Sequence, residues 1–83
     1  MTLYEFRLLD MNEQTNLVWD GVFLDVRIKL PLSILLYDLG GFYVEVHYNS
    51  MKNGIVRLRS FKSTSCLQPY LDQLTTEELN DLI

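Results

Sequence analysis

Cysteine, histidine and proline are all scarce in this sequence, which holds one Cys, one His and two Pro. A single Cys66 excludes an intramolecular disulfide and makes a reducing compartment the default. One Cys and one His without paired spacing exclude a tetrahedral metal set, and no acidic run follows the EF-hand pattern. No metal and no cofactor is expected. Long apolar runs are missing too. The longest are four residues, such as "ILLY" at 34–37, far short of the ~20 that cross a membrane. The opening "MTLYEFRLLD" lacks the basic start and continuous apolar core of a signal peptide. Together these absences give the expectation of a cytoplasmic protein with no membrane part. The four glycines form no phosphate loop.

What remains is a chain of 83 residues, 48% hydrophobic, with five Tyr, four Phe and one Trp. That is one globular domain, 1–83, with a thin core, because a chain of this length buries only roughly 60–65% of its unfolded surface. The apolar content is high for the size, so either nearly all of it packs inside or some is left for a partner. The net charge is −4, which counts against general nucleic-acid binding. It is unevenly spread. Lys52, Arg57, Arg59 and Lys62 are the only charges between 52 and 62, and Asp72, Glu77, Glu78 and Asp81 are the only charges from 72 onward.

Residues 3–9, "LYEFRLL", alternate in polarity and predict a strand with Tyr4, Phe6 and Leu8 on one face. Asp10 stands three residues before Glu13, the spacing of a capping box, and predicts a helix over about 11–20. Gly21 is its expected stop, with Met11, Leu17 and Val18 facing inward. Alternation returns over 22–30, setting Leu24, Val26, Ile28 and Leu30 against Asp25, Arg27 and Lys29, and Pro31 should end that strand. Strands over 33–39 and 42–48 flank Gly40-Gly41, a two-residue hairpin turn. The implied pairs are Leu39 with Phe42, Tyr37 with Val44 and Leu35 with Val46 on the core face. Asp38 with Tyr43, Leu36 with Glu45 and Ile34 with His47 fall on the other. "KNG" at 52–54 predicts a turn in which Gly54 forms a bulge before the strand 55–61, placing Val56 and Leu58 in the core and Arg57 and Arg59 outside. "STSCLQPYLDQL" reads as a helix capped by Ser63, Thr64 or Ser65, with Pro69 in its first turn. Leu67, Tyr70, Leu71 and Leu74 repeat at helical spacing, and Thr75 with Glu78 makes a second capping box. The order β-α-β-β-β-β-α describes an α+β two-layer domain: an antiparallel sheet covered on one face by one or two helices.

"GVFL" (21–24), "LLY" (35–37), "FYVEVHYN" (42–49), "RLRSFKST" (57–64) and "PYL" (69–71), in that order, resemble a family of small bacterial proteins without an assigned activity. The resemblance implies a bacterial, stand-alone domain and nothing about mechanism.

The residues offer three functional readings. The first is a non-enzymatic protein-binding or self-associating module. Its contact surface would be the outer sheet face, with Ile34, Leu36, Tyr43, Glu45, His47, Arg57 and Arg59, or failing that an exposed edge strand. Pairing the basic strand of one copy with the acidic tail of another would make a salt-sensitive homodimer. The second is a small enzyme in which His47, Glu45 and Arg59 act on an anionic substrate. Opposite charges on a solvated sheet face give the same pattern without catalysis, so no catalytic residue is assigned. The third is a single-stranded nucleic-acid binder using Arg57 and Arg59 among aromatics, which the acidic total disfavours. Cys66 would be activated only at a helix start. A lone Cys beside Leu67 and Leu71 is otherwise a small buried hydrophobe.

Overall fold

The computed structural model describes residues 1–71. The Thr75–Glu78 capping box, Leu74 and the acidic residues from 72 onward lie outside the described residues. The domain is α+β. Two helices, α1 (Leu3–Arg7) and α2 (Met11–Trp19), precede four antiparallel strands: β1 (Val22–Lys29), β2 (Leu32–Asp38), β3 (Tyr43–Asn49) and β4 (Gly54–Phe61). The sheet order is β1-β2-β3-β4, a simple meander.

The first element departs from the expected strand. Thr2 Oγ1 accepts from the Glu5 amide at 3.1 Å, and Glu5 Oε1 accepts from the Thr2 amide at 2.9 Å. This capping box closes a helical turn, and of the alternating trio only Phe6 is buried, Tyr4 and Leu8 being exposed. Helix α2 follows its spacing: Asp10 caps it by accepting from the Glu13 amide at 2.9 Å. Val18 is buried and Leu17 packs beside it, while Met11, expected inside, is exposed. Gly21 is present for room rather than for a left-handed turn. A Cβ there would lie 3.0 Å from the Asp38 carbonyl oxygen and 3.1 Å from that of Val18.

The central hairpin forms in the expected register. Leu39 N–H donates to the Phe42 carbonyl at 3.0 Å, with φ of 82° at Gly40 and 111° at Gly41, the backbone a primed two-residue turn needs. Tyr37 pairs with Val44, Leu36 with Glu45, Leu35 with Val46 and Ile34 with His47. On the other side of β3, Val46 pairs with Leu58, Glu45 with Arg59 and His47 with Arg57. The β3–β4 turn differs in detail. Asn53 (φ 55°), not Gly54, takes the left-handed conformation, and Asn49 Oδ1 accepts from the amides of Met51 and Lys52 at 2.9 and 3.1 Å. Tyr48 pairs with Ile55 while His47 pairs with Arg57, so Val56 is the extra residue of a bulge. Val56 is therefore exposed, and Ile55 takes its expected place against the core.

One sheet face carries the main core of Phe6, Val18, Phe42, Val44 and Val46, with Leu35, Tyr37 and Leu58 around it. Arg7 ties α1 to β4 through the Ser60 hydroxyl and carbonyl at 3.1 and 2.9 Å. This cover does not extend over β1. Leu24, Val26, Ile28 and Leu30, the apolar side of the expected alternation, are all exposed, Ile28 at 61% and Leu30 at 84%, and a second irregularity lies between Phe23 and Asp25. The Leu30–Pro31 peptide is cis and leads into β2. The opposite sheet face is not open, as the chain returns across it. Ser63 Oγ accepts from the Ser65 amide at 3.3 Å and starts a 3₁₀ turn, Thr64–Leu67. Residues 68–71 then run on as helix, with Pro69 in the first turn. Tyr70 packs there against Leu36 and Phe61, flanked by Tyr43, Cys66 and Leu67.

Candidate functional site

Strand alternation puts Tyr43, Glu45 and His47 on the face away from the main core. Leu36 of β2 and Arg59 of β4 stand on either side of Glu45. Residues 62–71 then roof the place where Glu45 emerges, leaving it 0% exposed. A carboxylate so buried must be paired and hydrogen-bonded, and both of its oxygens are. Oε1 lies 3.3 Å from His47 Nε2 and accepts from Arg59 Nη1 at 3.3 Å. Oε2 accepts from the Tyr70 hydroxyl at 2.8 Å and faces Arg27 Nη2 at 3.6 Å. Glu45 thereby joins β1, β3, β4 and the returning residues 62–71.

Burial pushes the Glu45 carboxyl up, but the hydrogen bonds from Tyr70, His47 and Arg59 and the charge of Arg27 outweigh it and hold the group below its ordinary value. The Tyr70 hydroxyl is pushed well above its usual range by burial and by the carboxylate it donates to. Arg27 lies over the Tyr70 ring at 5.5 Å and Arg59 over Phe61 at 5.3 Å. Arg59 Nη2 also reaches Cys66 Sγ at 3.4 Å. The Arg27 Nε is buried with no partner among the described residues.

Of the residues singled out in the sequence, Glu45, His47 and Arg59 do come together. Ile34 and Leu36 are not part of an open contact face: they are 2% and 3% exposed, and Leu36 packs against Tyr70 of the returning segment. Tyr43 is half-buried and stacks on Phe61 at 5.7 Å. Arg57 pairs with His47 and stays exposed. Sequence reasoning missed Arg27 and Tyr70 as partners of Glu45. Arg27 was within reach, since the register of β1 on β2 places it two strands from His47. Tyr70 gave a weaker signal, a hydroxyl on an apolar helical stripe that needs a partner once buried.

A carboxylate with both oxygens engaged and a lowered pKa is a poor proton acceptor and a good anchor. Open clefts lie elsewhere among the described residues. One of about 400 Å³ runs between the end of α2 and the Gly40-Gly41 hairpin, lined by Leu17, Gly21, Val22, Leu39 and Phe42 among others. Another, of about 530 Å³, lies between α2 and Ile55. No group of three or more His, Cys, Asp or Glu among the described residues is placed to hold a metal ion. No helix among them is long and apolar enough to cross a membrane.

The other unusual surface is the β1 flank. Val22, Phe23, Leu24, Val26, Ile28 and Leu30 are all exposed. Phe23 and Trp19 each meet the Tyr37 ring in a T-shaped contact, both at 5.6 Å. In comparison with known protein families, curated proteins and solved structures, the chain matches none.

Proposed function

We propose that this chain is a non-enzymatic association module of the bacterial cytoplasm whose contact surface is the β1 flank. The observation that carries the reading is the row of six large apolar side chains left exposed on one edge strand and its turn. Single exposed apolar residues are normal on a surface, but six on one strand and its turn mark a contact or a liability. The polar face supports the same reading from the other side. Its titratable groups are spent on one another, Glu45 binding His47, Arg59, Tyr70 and Arg27.

The test asks whether the flank serves this chain's own fold. Ile28→Ser should leave unfolding stability within about 0.5 kcal/mol of wild type, as for a surface residue, and should lower binding of a hydrophobic dye by the native protein. A loss of about 2 kcal/mol or more, the cost of emptying a packed site, would assign Ile28 to this chain's core and overturn the reading.

The contact of His47 with Glu45 at 3.3 Å is the one observation that favours the acid–base alternative. There Arg59 would bind an anionic substrate and His47 would move the proton. His47→Gln would abolish any such turnover without loss of fold.

A further inference from the structure

Strand β4 is an edge of the sheet, and the register fixes which of its backbone groups face outward. Leu39 N–H donates to the Phe42 carbonyl. By alternation, Tyr37 with Val44 and Leu35 with Val46 are then the pairs that exchange both bonds between β2 and β3. Tyr43, Glu45 and His47 turn their backbone groups the other way, to Phe61, Arg59 and Arg57. The backbone groups of Leu58 and Ser60 are left pointing away from the sheet. The Ser60 carbonyl is met there by Arg7, whose Nη2 donates to it at 2.9 Å. Arg7 at one end and the bulge at Val56 at the other bound a short open edge centred on Leu58. The side chains along it are basic. Arg7, Arg57 and Lys62 are exposed, and none takes part in an ion pair among the described residues. Ile55 and Leu58 lie on the core face, where the cleft of about 530 Å³ opens between α2 and Ile55.

We propose that the β4 edge takes up an extended acidic segment of a partner protein as an added strand, antiparallel to β4 and centred on Leu58. This goes beyond the association reading above, since it concerns the opposite edge of the sheet and does not rest on the β1 flank. Main-chain bonds supply the affinity of such an addition, and alternate side chains its specificity. Here charge selects the occupant. The partner residues beside Arg57 and Arg59 fall on the polar face and meet cations, so carboxylates fit there. The residue between them falls beside Leu58 on the core face, so it is apolar. The cleft at Ile55 leaves room for the next apolar side chain, two residues further along. A second copy of β4 fits badly. Turned about Leu58, it sets Arg57 of each copy against Arg59 of the other, like charges directly opposite.

An NMR titration of the isotope-labelled full chain with an end-blocked peptide of alternating glutamate and valine tests this. Saturable amide shifts should centre on Leu58 and Ser60 and weaken as salt rises. Arg57→Glu, at an exposed position, should weaken binding about fivefold, with circular dichroism to check its fold. Two modified peptides need no change in the protein. N-methylation of the valines removes the N–H that faces Leu58 and should abolish binding, whereas N-methylation of the glutamates should leave it intact. If the two modified peptides behave alike, strand addition is overturned. Equal binding of an oligothymidylate of the same charge overturns the acidic peptide as partner and leaves a general polyanion surface. Shifts at Leu58 that grow with protein concentration, without peptide, assign the edge to a second copy and overturn the foreign partner. No shift at the highest soluble peptide concentration overturns the proposal, while the stability and dye measurements on Ile28→Ser still decide the association reading.

Discussion

On one face of the sheet Val44 and Val46 meet Phe6, Val18 and Phe42; on the other, between those two valines in the chain, Glu45 meets Arg27, His47, Arg59 and Tyr70. All three β3 residues are equally buried. The apolar face draws its stability from area removed from water, at roughly 25 cal/mol per Å², and is indifferent to pH. The polar face is conditional. A buried ion cluster is a weak source of net stability when intact and a large cost when one member is removed. Equal burial on neighbouring positions therefore conceals unequal rules for substitution.

The largest effect should come from moving the polar rule onto the apolar face. Val46→Asp buries a carboxylate with no partner, a cost of several kcal/mol against a total stability of roughly 4–12 kcal/mol for a domain of this size. We expect no cooperative unfolding transition in urea; a folded Val46→Asp would show that the face is wetter than the packing implies. Next is Glu45→Gln, which leaves the cations around it uncompensated. Read as a surface pair, Glu45 would cost within about 1 kcal/mol to replace. Fully buried with four partners, it should cost about 2–4 kcal/mol by chemical denaturation, since Arg27 and Arg59 keep some contact with water.

The same residue predicts a pH dependence. The folded pKa of Glu45 is lowered, so its contribution is complete above the unfolded value near about 4.3 and is lost as pH falls through the folded one. Wild type should weaken more than Glu45→Gln over that acidic range, and parallel profiles would show that other carboxylates control it. Tyr70→Phe should be milder, about 1–2 kcal/mol for one donor lost from a charged acceptor. The smallest effect is expected at Val56→Thr, within about 0.5 kcal/mol. A larger loss there would return Val56 to the core.

The central hairpin was legible because two independent signals agree on it. Gly40-Gly41 fixes the turn, and alternation on both flanks fixes the faces. Helix α1 was obscured by an accidental two-residue period in Tyr4, Phe6 and Leu8, although Thr2 and Glu5 carry the same spacing that correctly announced α2 at Asp10 and Glu13. Alternation in β1 identified a strand but not its cover, because whether a helix reaches a given strand depends on tertiary packing. Glu45, His47 and Arg59 were brought together by register alone. Their burial was not legible, since it depends on residues 62–71 turning back over the sheet, and only Tyr70 hints at that.

The bulge at Val56 carries a consequence for how this chain tolerates changes in length. Ile55 and Leu58 are three positions apart yet lie on the same face, an odd spacing that a regular strand forbids. Val56 absorbs the difference, opposite nothing of its own on β3. Remove that one letter and Ile55, Arg57, Leu58 and Arg59 still meet Tyr48, His47, Val46 and Glu45. A deletion inside a strand ordinarily throws every later side chain to the wrong side. Here β4 holds a spare position, so gain or loss of a residue, elsewhere confined to turns, has a point of entry within the sheet itself.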